Sequence, residues 1–153
     1  MNANLLNPFI SSLDQAMESF SGFHIEKQKV EILTNALNHG TNIHVFLGVT
    51  GDLYGNVLLS ADHESGLKLA SMMVGERLEA FNDMSVSALQ ELLNITSGNA
   101  VTELAEIGIK ADISPPAFLT GTNLDIRVLF PLISILLAAG ETNFYLNLSL
   151  KRK

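Results

Sequence analysis

Four residues at helical spacing form a group that could do chemistry: Ser87, Glu91, Asn94 and Gly98. At about 100° of rotation per residue, with Ser87 at zero, Glu91 falls at about +40°, Asn94 at about −20° and Gly98 at about +20°. These four positions, called the polar row below, therefore share one face of a helix. The amide of Asn94 can donate and accept hydrogen bonds and Glu91 can form an ion pair. Periodicity alone assigns no activity to them.

The helix that must position the polar row is predicted from about Met84 to Ile107. Asp83 is its predicted N-cap, and Gly108 closes it. The opposite face carries a stripe that we expect to be buried: Leu89, Leu93, Thr96, Ala100, Leu104 and Ile107, with Leu92 at its margin. The polar row is therefore predicted to face away from the core.

A solvated helix face is the alternative interpretation of the polar row, because exposed faces commonly carry Ser, Glu and Asn. Two of its residues argue against that interpretation. Asn is a poor helix former, and Gly98 costs about 1 kcal/mol relative to Ala in a helix interior. Gly98 does, however, allow another backbone or a bulky side chain to approach closely.

The composition is that of one globular domain, which we expect to span residues 1–153. The chain is 47% hydrophobic and 16% charged, which is too apolar for disorder, and its length suffices for a sizeable core. It has no cysteine, so disulfides and Cys-based metal sites or nucleophiles are excluded.

The charge and the hydrophobic pattern exclude two classes of partner. A net charge of −7 argues against binding to nucleic-acid phosphates. The longest apolar run, residues 128–139, is shorter than the about 20 residues of a membrane span and is predicted to be a buried strand. The first residues lack the pattern of a signal peptide. We therefore expect a soluble, cytoplasmic protein.

The order of elements predicts an α+β fold, α-βββ-αα-βββ, with helices packed on an antiparallel sheet. Apolar residues recur at helical spacing up to Phe20, and three strands with short connections follow. Two helices come next, the first capped by Asp62. The last three strands are predicted at 110–120, interrupted by Pro115 and Pro116, at 124–137, and at 144–150.

The segment from Ser87 to Ala100 resembles the signature helix of the CheC/CheX/FliY family of chemotaxis phosphatases. The likeness extends over nearly the whole chain, through residues 7–12, the hairpin at 48–58 and the Pro-Pro segment at 112–121. Within that family the chain is most similar to the CheX branch, because it is short and carries one intact motif. A second site on the first helix is expected to be absent, because Asp14-x₃-Glu18 is followed at position 21 by Ser and not Asn.

The resemblance implies a CheC-like fold and an enzyme that removes phosphate from the aspartate of a phosphorylated CheY-type response regulator. It implies that Asn94 orients the attacking water and that Glu91 pairs with a lysine of the regulator. Ser87 and Gly98 would contact the partner. The regulator would supply the Mg²⁺, so no cofactor is expected on this chain, and the resemblance implies a homodimer. The alternative function is a non-catalytic adaptor of the chemotaxis or flagellar switch apparatus.

The remaining polar and sulfur-containing residues are assigned structural roles. The four histidines show no spacing typical of metal ligands, and His44 is predicted to be exposed on the polar side of a strand. Met84 is predicted to fill space in the core. Asp52 and Asp62 are interpreted as turn and cap residues.

Overall fold

The computed structural model describes residues 3–34, 36, 37, 39–122, 124–128 and 131–153. Within those residues it contains three helices and seven strands. In chain order they are α1 (Ala3–Ser21), β1 (Glu26–Leu33), β2 (Ile43–Gly51), β3 (Leu53–Ala61), α2 (His63–Val74), α3 (Asp83–Glu106), β4 (Ala111–Ile113), β5 (Ala117–Thr120), β6 (Leu132–Ala139) and β7 (Thr142–Arg152). The predicted α+β order is confirmed, with the strand at 110–120 divided in two by Pro115 and Pro116.

The strands form one antiparallel sheet in the order β1-β6-β7-β3-β2-β4, and β5 also pairs with β2. The three helices pack on one face of this sheet. Apolar side chains from alternate positions of the strands meet the buried faces of the helices in a single core. Phe9 of α1, Leu93 of α3 and Leu148 of β7 are almost fully buried in it.

The face of the sheet away from the helices is also covered, although its strands carry polar residues there. Leu37, Leu58 and Leu132 form a second apolar cluster on this side, with Ile126 packed against it. His44 is only 1% exposed, and its Nδ1 lies 2.8 Å from Ser60 Oγ. The prediction that His44 is exposed was therefore wrong, because residues outside the strands, among them Leu37 and Ile126, pack over this face of the sheet.

Strand β6 begins at Leu132, eight residues later than the predicted start at 124. Pro131 has no N–H to donate to a β ladder, so pairing starts after it. Residues 124–128 lie outside the strand and contribute one isolated bridge, between Leu37 and Ile126. The apolar character of β6 on both sides is explained within one chain, because Ile135 and Leu137 belong to the main core and Leu132 belongs to the cluster on the other face.

Among the residues that the structure describes, no helix is long and apolar enough to cross a membrane.

Candidate functional site

Helix α3 begins at a capping box and ends within a residue of its predicted bound. Asn82 is the N-cap: its Oδ1 accepts from Ser85 N at 3.1 Å, while its own N–H donates to Ser85 Oγ at 2.7 Å. The N-cap is therefore Asn82 and not the predicted Asp83. At the other end Ile107 is the C-cap and is 60% exposed, so its predicted place in the core was wrong. The chain turns at Gly108, and Ile109 enters the core instead.

The rest of the predicted stripe is buried and fixes the rotation of α3 about its axis. The almost fully buried residues of this helix are Ser85, Leu89, Leu92, Leu93, Thr96, Ser97, Ala100 and Leu104. They meet the sheet and the neighbouring helices α1 and α2 in the main core. Burial of this stripe holds the opposite face of the helix outward.

The polar row lies on that outward face, as its spacing predicts. Ser87, Glu91 and Asn94 are exposed, and Gly98 is half-buried. In the described part of the chain, the side chains of Ser87, Glu91 and Asn94 make no hydrogen bond or ion pair to another residue. At about 1.5 Å of rise per residue, the row extends about 16 Å along the helix, a length suited to contact with another macromolecule.

Gly98 has no structural reason to be glycine within this chain. A Cβ built there meets no atom within 4 Å, and its backbone has an ordinary helical conformation. Its carbonyl accepts a hydrogen bond from Thr102 Oγ1 at 2.9 Å, which an alanine would also allow. The open space above Gly98 therefore lies on the side from which a partner can approach.

Gln90 connects the face of the polar row to the segment between β4 and β5. Its Nε2 donates to the carbonyl of Pro116 at 3.1 Å. Sequence reasoning missed this contact. The Pro-Pro interruption of the strand indicates that carbonyl groups there lack ladder partners, but it does not identify Gln90 as their donor.

The acidic pair on α1 is engaged within the chain. His24 Nδ1 lies 3.1 Å from Asp14 Oδ1, and His24 Nε2 lies 3.6 Å from Glu18 Oε1. The hydrogen bond to Asp14, and the charges of both carboxylates, raise the pKa of His24. Asp14 also accepts from the backbone N–H of Ile25 at 2.8 Å, which gives it a structural role.

The other assigned residues divide into confirmed and corrected predictions. Asp62 caps α2 by accepting from Ser65 N at 2.7 Å, as predicted. Asp52 lies in the turn between β2 and β3, as predicted, and it also accepts from Lys110 N at 2.9 Å. Met84 is 53% exposed and does not fill the core. Met84 lies in the first turn of α3, and its side chain is not covered by other parts of the protein. Within the described residues, no group of three or more His, Asp or Glu side chains could hold a metal ion.

Comparison with known proteins relates the whole chain to one family. The family model for the chemotaxis phosphatase CheX matches residues 43–136. The CheY-P phosphatase CheX of Thermotoga maritima is 27% identical over 153 residues, covering 99% of this chain and 98% of that protein.

Solved structures with the same fold cover the chain almost completely. A CheC-like superfamily protein from Shewanella sp. PV-4 superposes with a TM-score of 0.87 at 21% identity, over 99% of each chain. CheX of Borrelia burgdorferi, in a complex of CheX, CheY, BeF₃ and Mg²⁺, superposes with a TM-score of 0.81 at 24% identity, over 96% of this chain and 97% of that one. These likenesses establish the fold.

Proposed function

This chain belongs to the CheX family of chemotaxis phosphatases, and we propose that it removes phosphate from the aspartate of a CheY-type response regulator. The observation that carries the proposal is the polar row. It presents a carboxylate and an amide, one turn apart, on the exposed face of a rigid helix whose other face is anchored in the core. The relative from Thermotoga maritima is a CheY-P phosphatase, and the Borrelia protein forms a complex with CheY.

Asn94 is the proposed catalytic residue. Hydrolysis of an acyl phosphate requires a water molecule held in line with the P–O bond that breaks, and otherwise depends mainly on positioning and electrostatics. An amide suits this task because it can accept a hydrogen bond from the water and donate one to a phosphoryl oxygen. A carboxylate at this position would be repelled by the phosphoryl group. The side chain of Asn94 is free to enter a partner's pocket because no described residue holds it.

Glu91 is proposed to fix the register of docking. It lies one helical turn before Asn94, about 4.5 Å along the axis, and its exposed carboxylate can pair with a lysine of the regulator. The regulator is proposed to bring the phosphorylated aspartate and its Mg²⁺. The Borrelia complex contains Mg²⁺ together with CheY. Under this proposal the chain itself needs no cofactor.

Ser87 and Gly98 are proposed to complete the contact at the two ends of the row. Ser87 offers a hydroxyl on the exposed face. Gly98 leaves space above the helix backbone, where an added Cβ would meet nothing of this chain. The glycine therefore allows a side chain of the regulator to contact the helix closely.

We also propose that the protein is a homodimer that works in the cytoplasm. Strand β1 forms one edge of the sheet, and Val30 and Ile32 on it are 54% and 67% exposed. Exposed apolar side chains on an edge strand favour pairing with another chain.

The experiment that tests this function measures phosphate release from purified regulators. A panel of CheY-type proteins is phosphorylated with a small-molecule donor, and the first-order loss of phosphate is followed with and without this protein. The proposal requires a saturable increase in the rate for at least one regulator. If no regulator loses phosphate faster although one binds the protein, the protein is an adaptor and not a phosphatase.

A further inference from the structure

Residues 114–116, called the Pro ridge below, interrupt the edge of the sheet between β4 and β5. On either side of them, β4 and β5 both pair with β2. The ridge is attached to β2 at its start: Ser114 N donates to the carbonyl of Gly48 at 2.9 Å, and Gly48 N donates to Ser114 Oγ at 2.7 Å. The serine hydroxyl therefore takes the place of a carbonyl in the β ladder.

The other end of the ridge is attached to α3. Gln90 Nε2 donates to the carbonyl of Pro116 at 3.1 Å, and the contact is partly buried. Gln90 is three residues after Ser87 and four before Asn94, so it neighbours both on the helix surface. The hydrogen bond therefore brings the ridge beside the middle of the polar row.

The chemistry of the ridge suits a preformed contact surface. Pro115 is exposed, and Pro116 is half-buried. The two proline rings fix φ, so little conformational entropy remains to be lost when a partner binds. The exposed rings are apolar and offer no N–H, in contrast to the polar row next to them. Specific protein interfaces combine apolar contact area with polar groups that form hydrogen bonds, and the ridge and the polar row together offer both.

We propose that the Pro ridge is a second wall of the surface that docks the response regulator, and that Gln90 is the positioning residue that holds this wall. The proposal rests on the proposed function, because it takes the regulator as the partner at the polar row. The ridge is continuous with that row through Gln90. It adds binding area and does not take part in the chemistry.

Two variants of Gln90 test the positioning role. Gln90→Met keeps the length of the side chain but removes the donor, and Gln90→Glu replaces the donor by a carboxylate that repels the carbonyl of Pro116. We expect each to raise the half-saturating concentration of this protein about fivefold, the effect of one lost hydrogen bond, and to leave the maximal rate of phosphate loss within twofold. Gln15→Met, on the exposed side of α1, is the matched control and should change neither value.

A label on the ridge tests contact directly, because the chain has no cysteine and a single introduced thiol can be modified cleanly. Pro115→Cys carries an environment-sensitive fluorophore, and Gln15→Cys on the exposed side of α1 carries the same label as a control. Addition of the regulator activated with BeF₃ and Mg²⁺ should shift the emission at position 115 in a saturable way and leave position 15 unchanged.

The outcomes separate this inference from the function on which it rests. If the unlabelled wild-type protein binds the activated regulator but the label at position 115 shows no change, the ridge is not part of the docking surface. If the Gln90 variants lower the maximal rate without changing the half-saturating concentration, Gln90 is not a positioning residue for docking. If the wild-type protein neither binds nor stimulates any regulator, the proposed function itself fails.

Discussion

Replacing Gly98 should make the protein more stable and less able to dock. A helix-interior glycine costs about 1 kcal/mol relative to alanine. Since an added Cβ at position 98 meets nothing within 4 Å, Gly98→Ala should recover nearly all of that free energy of unfolding. For a chain of this length the gain corresponds to a rise in Tm of about 2–4 °C. Gly98→Leu should be similarly stable, because leucine is also a strong helix former.

The same substitutions should weaken function, because they fill the space proposed for the regulator. We expect Gly98→Leu to raise the half-saturating concentration in the phosphate-release assay by about tenfold or more, the cost of obstructing a well-packed contact. Urea unfolding measures the stability. Gly66→Ala is the matched control for stability, since its Cβ would meet Phe81 at 3.2 Å and no gain is expected there. Unchanged docking by Gly98→Leu would refute the role of this glycine.

Three further predictions concern docking, assembly and pH. Glu91→Ala should raise the half-saturating concentration more than it lowers the maximal rate, because it removes a charged contact made before the chemistry; the reverse pattern in the same assay would reject this role. Ile32→Glu should shift the dimer towards monomer in sedimentation velocity, since it places a charge on the exposed edge strand β1. An unchanged dimer would show that β1 is not the interface. Burial lowers the pKa of His44 from its ordinary value of about 6.5. The contribution of His44 to the free energy of unfolding is therefore complete above pH of about 6.5, and it is lost as the pH falls towards the lower pKa of the folded state. His24 has the opposite effect, because its pKa is raised: its contribution is present at low pH and is lost as the pH rises. Urea unfolding between pH 5 and 8 should show less loss of stability on acidification for His44→Asn than for the wild type, and equal slopes would contradict the assignment.

Helix α3 and the orientation of the polar row could be predicted because periodicity is a local property of the sequence. Seven apolar or small residues at the right spacing suffice to decide which side of a helix is buried. The error at Ile107 has the same origin. The spacing continues past Glu106, but the helix stops, and only the turn at Gly108 determines that Ile109 and not Ile107 reaches the core.

The error at His44 arises from tertiary contacts, whereas the error at the start of β6 has a local cause. Alternation along β2 shows that His44 and Val45 point to opposite faces, but not that the polar face is covered. Part of that cover comes from Leu37, which lies six residues before β2, and from Ile126, which is distant from β2 in sequence. The start of β6 depends instead on a neighbouring residue. An apolar run predicts a strand but not its first residue, and here the strand starts after Pro131, which has no N–H for the ladder.

The Pro ridge could be predicted from the sequence only in part. Its break in the strand is visible in the sequence, because Pro115 and Pro116 cannot donate to a ladder. Its attachment to Gln90 is not visible, because glutamine on a helix is usually solvated and its partner is 26 residues away. The residues of a site can thus be found from a local motif, whereas the surface that surrounds them depends on tertiary contacts.

The most direct test of the account is single-turnover phosphate loss from the phosphorylated regulator in the presence of Asn94→Ala. Asn94 is exposed and alanine is the better helix former, so circular dichroism and docking should be nearly unchanged. The maximal stimulated rate should fall by about 10² or more, the scale for loss of one positioned transition-state group. Asn99→Ala, an exposed residue on the same helix but off the polar row, is the matched control and should keep the full rate. Full stimulation by Asn94→Ala would contradict the account.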